Sequence, residues 1–211
     1  MDLHKLRREY TLHGLDRNEL AADPIAQFRL WFQQAIDADL HEPNAMVLAT
    51  VSSKQVPSTR VVLLKAFDER GFAFYTNLRG HKARDLEVNP QASVTFPWIE
   101  FERQVHVLGT VEHISREETE AYFQTRPYGS QLGAWASSQS DPVADRATLE
   151  ARLEQLKIEH PEGRVPVPPH WGGLRIKPQQ IEFWQGRPNR LHDRFVYQKA
   201  AQGWSISRLQ P

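Results

Sequence analysis

MVLATVSSKQVPSTRVVLLKAFDERGFAFYTN, residues 46–77, is the stretch that decides the fold class. It contains three β-rich segments, 46–52, 58–67 and 71–77, which are separated only by short turn-forming stretches. Parallel neighbours would need a long crossover between each pair of strands, and these connections are too short to hold one. The stretch therefore predicts an antiparallel barrel or sandwich.

The rest of the chain extends this pattern. Segments 92–98 and 103–114 are again rich in β-branched and aromatic residues. The C-terminal third contains WGGLRIKP, QIEFWQG, RFVYQK and WSISRL, which we interpret as further separate strands. The predicted fold is mainly β with peripheral helices, in the α+β class.

Capping residues and apolar spacing predict where the helices lie. Asp23-Pro24 is a helix start, followed by apolar residues at helical spacing to about Leu40. The other predicted helices are a short one over 79–88, one from the capping box of Ser115 to Pro127, and one from Asp141-Pro142 to about His160. We predict an N-terminal arm over residues 1–22 and a single domain over 23–211.

Composition excludes several classes of function. The 211 residues include no cysteine, which rules out disulfides, thiolate catalysis and Cys-type zinc sites. Lys+Arg and Asp+Glu are both 26, so nothing indicates a nucleic-acid or membrane-surface partner. There is no secretory h-region and no membrane-length apolar run. We expect a cytoplasmic protein with no metal site, whose chemistry comes from a bound cofactor.

Two groups of candidate residues lie on predicted strands. In RLHDRF, strand alternation would place Arg190, His192 and Arg194 on one face, with Trp184 nearby to stack on a planar ligand. The alternative is a solvated edge strand that uses charge to prevent aggregation. In STRVVLLK, Arg60 and Lys65 would point to opposite faces, so they serve two anions, or a bulge intervenes, or one is a surface residue.

Two further groups suggest phosphate binding. Tyr75 and Thr76 end a strand, and the basic run from Arg79 to Arg84 enters a short helix, whose N-terminus favours anions. A plain solvated charge run is the alternative. Tyr122, Arg126 and Ser130 would also form a phosphate grip, unless Arg126 only closes a helix and Ser130 only caps the next turn.

The order of these motifs carries more information than any one of them. RVVLLK, FYTN, HK, FPW with ERQV, YFQTRP with SQLGAW, WGG, IEFWQG and RLHDRF occur in this sequence from about residue 20 to the C-terminus. In this order they resemble the pyridoxine/pyridoxamine 5′-phosphate oxidase family, and the IEFWQG and RLHDR motifs are the most specific.

The resemblance implies a fold and an activity. It implies a split antiparallel β-barrel of the FMN-binding type and a homodimer with FMN at the subunit interface. It also implies that FMN oxidises pyridoxine or pyridoxamine 5′-phosphate to pyridoxal 5′-phosphate. Dioxygen then takes the electrons, and hydrogen peroxide, with ammonia from the amine, is released, in vitamin B6 salvage.

The same resemblance assigns site residues by motif. The residues implied to bind FMN are Arg60, Val61, Lys65, Tyr75, Thr76, His81, Lys82, Gln104, Gln139, Ser140, Trp184 and Arg194. Those implied to bind substrate are Arg7, Tyr10, Lys65, Tyr122, Arg126, Ser130, Arg190 and His192. Arg190 and His192 would act as the catalytic pair by positioning the substrate ring and tuning its protonation, and the arm with Arg7 and Tyr10 would fold over it.

The sequence departs from the family pattern at two places. His81 stands where the family usually has an arginine, so we expect FMN affinity to fall above pH about 6.5, where an imidazole loses its charge. Tyr128-Gly129 is unusual beside Ser130. Two other classes stay open: a flavin reductase or phenazine-type oxidase on the same fold, and a non-catalytic flavin or pyridoxal-phosphate carrier.

Overall fold

The computed structural model describes residues 2–6 and 8–211, and it confirms the predicted fold class. Every strand pairing is antiparallel. The strands are β1 Ala45–Val51, β2 Pro57–Leu63, β3 Ala66–Asp68, β4 Gly71–Asn77, β5 Gln91–Trp98, β6 Arg103–His113, β7 Trp171–Gln185, β8 Asp193–Lys199 and β9 Trp204–Leu209. The helices are α1 Pro24–Asp37, α2 His81–Val88, α3 Arg116–Gln124, α4 Tyr128–Ala136 and α5 Arg146–Glu159.

Strand β7 organises the sheet. It pairs with β6 from Leu174 to Gln185, with β4 over its first half and with β8 over its second half. The strand order β2-β1-β5-β6-β7-β4-β3 is therefore extended by β8 and β9 on the same side of β7 as β4. This division of one long strand between two neighbours is what splits the barrel.

The interpretation of WGGLRIKP and QIEFWQG as two strands was wrong, because β7 is continuous through both. The β6–β7 register shifts between Leu108 and Gly109, opposite Pro178. Proline has no N–H to give to the ladder, and a bulge accommodates this. Gly109 is required at the bulge, because a Cβ there would lie 2.1 Å from the carbonyl oxygen of Lys177.

Helix α1 covers one opening of the barrel and begins as predicted. The Asp23 side chain accepts hydrogen bonds from the N–H groups of Ile25 and Ala26, both at 2.9 Å. Phe28 is fully buried, and its ring lies 4.9 Å from the rings of Phe72 and Phe96, centroid to centroid. The Phe28–Phe72 pair is edge-to-face and the Phe28–Phe96 pair is tilted, and this aromatic cluster fixes the helix on the main core.

Helices α3, α4 and α5 enclose a second, smaller core outside the barrel. It contains Phe123, Leu132, Leu156, Val165, Val167 and Trp171. The predicted start of α5 was wrong, and the alternative role of Ser130 as a helix cap does not hold. The N-cap of α5 is Asp145, which accepts from Thr148 N–H at 2.8 Å, whereas Asp141 lies in a turn closed by Ser138. Ser130 lies inside α4 and caps nothing, because Pro127 ends one helical segment and opens the next.

The described part of the N-terminal arm lies on the barrel. Leu12 N–H donates to Glu102 at 3.2 Å, Leu15 N–H donates to Asp193 at 3.1 Å, and the Tyr197 hydroxyl donates to the Ala21 carbonyl at 2.7 Å. Within residues 2–6 and 8–211, no helix has the length and apolar character needed to cross a bilayer.

Candidate functional site

A cavity of about 470 Å³ opens between β2, the end of β4 and α4. Among the residues that the structure describes, the cavity is lined by four cationic side chains, Arg60, Lys65, Lys82 and Arg126, and by no aspartate or glutamate. The remaining lining residues are Val61, Val62, Leu63, Tyr75, Thr76, Asn77, Ser130, Gly133, Ala134, Ser137, Gln139 and Trp171. Cations without acids, beside hydroxyl and amide groups, suit a ligand with phosphate groups.

Lys82 is the most enclosed of the lysines that line the cavity. It is buried, and its Nζ donates to Gln139 Oε1 at 2.7 Å and to Thr76 Oγ1 at 3.0 Å. Burial, followed by the positive charge of Arg60, lowers the pKa of Lys82. An anion bound here would oppose both effects and raise the pKa of Lys82, because it would supply the negative charge that is lacking among the described residues of the lining.

Three aromatic rings support the opposite side of the cavity. Tyr75 and Tyr122 stack at 4.0 Å, and Trp171 stacks on Tyr75 at 5.4 Å. The guanidinium of Arg126 lies 4.7 Å from the Trp171 ring. Burial lowers the pKa of Arg126 and raises the pKa of Tyr122.

Arg126 has an unmet hydrogen-bonding requirement. Its Nη1 is buried and has no hydrogen-bond partner within the described residues. Because a buried, unpaired guanidinium N–H costs free energy, its presence on the cavity wall indicates a missing anionic ligand. Arg126 and Ser130 both line the cavity, so the structure brings these two residues of the fourth predicted group together.

Arg60 and Lys65 line the same cavity, although strand alternation had placed them on opposite faces. Strand β2 ends at Leu63, and the chain turns before β3 begins at Ala66, so alternation does not extend to Lys65. Val61, on the edge strand between them, is 65% exposed.

His81 and Ser140 lie outside the cavity. The His81 backbone N–H donates to Ser140 Oγ at 3.1 Å, while its imidazole Nε2 lies 3.5 Å from Asp85 Oδ1. The bond to Ser140 ties the loop after α4 to the start of α2 and closes one end of the site. The imidazole of His81 is therefore turned toward a carboxylate.

Other predicted residues meet in a second group, which we call the β7-end cluster: Tyr10, Gln104, Trp184, Arg190, His192 and Arg194. Trp184 packs against His192 at 4.6 Å and against Tyr10 at 5.8 Å, centroid to centroid. Gln104 and Arg194 are the strand partners of Trp184 on either side. Arg7 lies outside the described residues.

The strand argument for RLHDRF was wrong. Residues 188–190 form a 3-10 turn and β8 begins only at Asp193, so Arg190 and His192 are not strand residues. Asn189 and Arg190 adopt left-handed backbone, with φ of 56° and 63°. Burial, followed by the charge of Arg190, lowers the pKa of His192, and Asp193 opposes this shift.

Two acidic residues of this region were missed by sequence reasoning. Glu182 on β7 forms a bidentate pair with Arg194, at 2.7 and 3.0 Å. Asp193 contacts Arg208 at 2.6 Å, Arg187 at 3.4 Å and the arm at Leu15. Since these partners lie across strands, only the β7–β8–β9 register reveals them.

The cavity and the β7-end cluster are far apart within one chain. Tyr75 lies opposite Gly173 near the start of β7, whereas Trp184 lies near its end. The intervening strand corresponds to roughly 35 Å at the usual rise per residue. Among residues 2–6 and 8–211, none lines both the cavity and the pocket whose lining includes Tyr10, Arg187, Asn189 and Arg190.

Comparison with known proteins identifies the family. Residues 32–160 match the model of the pyridoxamine 5′-phosphate oxidase family, and residues 171–211 match the pyridoxine 5′-phosphate oxidase C-terminal dimerisation region. The chain belongs to the pyridoxamine 5′-phosphate oxidase family. The pyridoxine/pyridoxamine 5′-phosphate oxidase of Rubrobacter xylanophilus is 57% identical, over 100% of this chain and 97% of that protein. The one from Dichelobacter nodosus is 51% identical, over 100% of both.

Solved structures agree with this family membership. PhzG from Burkholderia lata 383, in complex with tetrahydrophenazine-1-carboxylic acid, has a TM-score of 0.90 and 29% identity, over 97% of this chain and 100% of that one. A pyridoxamine 5′-phosphate oxidase-related, FMN binding protein from Nostoc punctiforme shares the fold, with a TM-score of 0.73 at 18% identity, over 91% of this chain and 100% of that one. The family's split-barrel fold is therefore the fold of this chain.

Proposed function

We propose that this protein is an FMN-dependent oxidase that converts pyridoxine 5′-phosphate and pyridoxamine 5′-phosphate to pyridoxal 5′-phosphate, with dioxygen as the electron acceptor. The observation that carries the proposal is the cavity, which gathers four cations, an unpaired Arg126 N–H and a stack of aromatic rings. A family of oxidases that act on phosphorylated pyridines needs these groups in one place.

The residues present fit FMN. Arg60 and Lys82, with Thr76 and Gln139 between them, would hold its phosphate, because the pKa of the buried Lys82 is lowered in the absence of an anion. When bound, FMN supplies a ring that accepts a hydride from the substrate. The chain contributes binding and orientation, with residues of α4 and of the loop after it on the cavity wall.

A second phosphate site for the substrate lies on the other side of the cavity. Arg126, Ser130 and Lys65 line that part, and Tyr122 supports it from the aromatic stack. A charge-assisted grip on the substrate phosphate, away from the reacting carbon, supplies the binding energy that orients that carbon. Arg190 and His192 would then position the pyridine ring.

In this proposal, the Arg190 and His192 that complete a given cavity come from a second copy of the chain. About 35 Å of strand separates the β7-end cluster from the cavity, a distance longer than an FMN molecule. The match of residues 171–211 to a dimerisation region supports a homodimer. In such a dimer, the β7-end cluster of each copy completes the cavity of the other, with FMN at the interface.

The test is turnover by the purified protein. We expect a flavin spectrum and, with pyridoxine 5′-phosphate in air, equal amounts of aldehyde and peroxide. Mixed dimers test the shared site at a substrate concentration well below the raised KM of Arg126→Met. Under these conditions Arg126→Met and His192→Ala copies should each show little activity alone and should recover about a quarter of the wild-type activity after random mixing, since half the dimers then hold one intact site. A colourless protein that takes up no FMN contradicts the proposal.

The similarity to PhzG supports a second candidate, oxidation of a reduced phenazine precursor. Such a tricyclic carboxylate carries no phosphate, so it has no use for a phosphate grip at Arg126 and Ser130. Comparing the two substrates with wild type and Arg126→Met separates the candidates. In Arg126→Met, kcat/KM should fall for a phosphorylated pyridine and should stay near the wild-type value for the phenazine precursor.

A further inference from the structure

Behind the cavity wall, four side chains form a closed hydrogen-bonded ring. Asp85 on α2 is buried, and its Oδ2 accepts from Thr50 Oγ1 at 2.7 Å and from Ser58 Oγ at 3.3 Å. The same two hydroxyl oxygens accept from Arg60, Thr50 from Nη1 at 2.7 Å and Ser58 from Nη2 at 2.6 Å. We call Arg60, Thr50, Asp85 and Ser58 the Arg60–Asp85 ring.

The chemistry of the four groups fixes the direction of every bond in the ring. A guanidinium only donates and an ionised carboxylate only accepts, so each hydroxyl accepts from Arg60 and gives its own proton to Asp85. The 3.3 Å contact between the hydroxyl oxygens of Thr50 and Ser58 is then left without a proton. All four bonds involve a charged partner, which makes them stronger than bonds between neutral groups.

Strand register builds the ring. Thr50 and Ser58 are direct partners across β1 and β2, and Arg60 lies two residues further along β2, on the same face as Ser58. Helix α2 packs against β1 and brings Asp85 under the two hydroxyls. The ring therefore joins the edge strand β2 to the helix that carries Lys82.

The negative charge of Asp85 affects the two cations at this end of the cavity. Arg60 and Lys82 line the same cavity, and burial lowers the pKa of both. The charge of Asp85 acts in the opposite direction on the pKa of Arg60. Asp85 thus offsets part of the repulsion between the half-buried Arg60 and the buried Lys82, and it does so without lining the cavity. The ring uses one donor on each Nη of Arg60, and the other Nη1 N–H points to the Leu48 carbonyl at 3.5 Å, so the Nε–H and the second Nη2 N–H stay available for a ligand.

We propose that Asp85 is a positioning residue for the phosphate end of the FMN site, holding the Arg60 guanidinium in place through the hydroxyls of Thr50 and Ser58. The inference rests on the proposed function, because Arg60 is a phosphate ligand only if FMN binds in this cavity. Neither Thr50, Ser58 nor Asp85 needs to touch FMN for this role.

Asp85→Asn separates positioning from simple charge. The substitution keeps the size of the side chain and removes a negative charge next to the cavity. Electrostatics alone would then tighten the binding of an anion. We expect the opposite, an FMN Kd raised about tenfold, because an amide cannot accept both hydroxyl protons on a charged oxygen. FMN fluorescence quenching measures the Kd directly.

The Thr50→Val/Ser58→Ala double variant tests the path to Arg60. We expect it to raise the FMN Kd by about tenfold in the wild-type background and by less than about twofold in an Arg60→Ala background. Thr50→Ser keeps the hydroxyl and should bind like wild type. Thr110→Val is the matched control, because the Thr110 hydroxyl bonds only to Gln91 and Gln179 within the described residues, outside the cavity.

Each outcome decides the inference. An unchanged FMN Kd in Asp85→Asn overturns it, because the ring would then not affect FMN binding. A lower Kd also overturns it, because Asp85 would then compete with the phosphate for Arg60. Equal losses in the wild-type and Arg60→Ala backgrounds also overturn it, because the hydroxyls would act through general structure. Failure of the proposed function looks different: wild type would bind no FMN, or Arg60→Ala alone would leave the Kd unchanged, and both claims would fall together.

Discussion

Lys82→Met is the perturbation whose effects the structure predicts in most detail, because it should weaken ligand binding while leaving the folding stability almost unchanged. Lys82 is a buried ammonium whose described partners, Gln139 and Thr76, are both neutral. A phosphate would be its first anionic partner in the cavity. The loss of one charge-assisted bond to that phosphate is worth about 1.5–3 kcal/mol, which raises the FMN Kd about 10- to 150-fold.

The same substitution should leave the ligand-free protein almost as stable as wild type. Because burial lowers the pKa of Lys82 below its usual 10.5, the folded state disfavours the charged ammonium, and this cost is present in full at any pH below the lowered pKa. It diminishes only as the pH rises through the lowered pKa. Removing the charge therefore offsets the two lost hydrogen bonds, and we expect the free energy of unfolding to change by less than about 1 kcal/mol.

Urea denaturation at pH 7.5, with and without FMN, measures both effects. A ligand at 100 times its Kd stabilises the folded state by about 2.7 kcal/mol, so a hundredfold higher Kd removes most of that gain. Lys177→Met is the control, because Lys177 is exposed and pairs with Glu112 at 3.1 Å, away from the cavity. A Lys82→Met protein that binds FMN like wild type would refute the reasoning, and so would a ligand-free variant destabilised by more than about 2 kcal/mol.

Three further predictions concern the rest of the site. Arg126→Met should raise the KM for pyridoxine 5′-phosphate about 10- to 150-fold while kcat and the stability of the ligand-free protein stay near wild type, because the lost N–H has no partner before substrate binds; an unchanged KM in steady-state assays contradicts this. Arg190→Gln should raise the pKa of His192 in an NMR titration, since the Arg190 charge helps to lower that pKa. In the wild-type protein, the free energy of unfolding should fall as the pH drops from about 6.5 toward the lowered pKa of His192, because in this range the unfolded chain binds more protons than the folded one. Asp193→Asn should speed amide exchange at Leu15 and raise KM by weakening the hold on the arm, and equal exchange in both proteins would show that Asp193 does not anchor it.

The sheet was predictable because its signals are local. Alternation and turn residues marked most of the strands, and Asp23 marked the start of α1 with a cap that forms as expected. Helix α4 was missed because Pro127 can both end a helix and open one, and the sequence signal for the two is the same. The continuity of β7 was missed because a proline normally argues against a central strand, and only the bulge at Gly109 makes Pro178 tolerable.

The site was predictable in its residue types but not in its grouping. Arg60, Lys65, Lys82 and Arg126 stand out as cations beside apolar or aromatic residues, yet only the turn after Leu63 places Lys65 with Arg60. Pro188 and Asn189 are turn-forming residues, but Arg190 also adopts left-handed backbone, and nothing in the sequence marks an arginine for that conformation. Asp85, Glu182 and Asp193 were missed because their partners are distant in sequence.

In the ligand-free chain, buried polar and charged groups lack partners mainly where the ligands are expected to bind. Within the described residues, Arg126 Nη1 and Arg175 Nε are the buried side-chain atoms without a hydrogen-bond partner, and Arg126 lines the cavity. Lys82 is buried as a charge without an acid beside it, and Arg190 holds a backbone conformation that a non-glycine residue adopts at a cost. None of these features helps the chain to fold, whereas the two phosphates proposed for the cavity would satisfy two of them separately, that of FMN at Lys82 and that of the substrate at Arg126. The net charge of zero is thus distributed unevenly, with four cations and no acid among the described residues that line the cavity, and with Asp85, the acid linked to Arg60 through two hydroxyls, placed behind its wall.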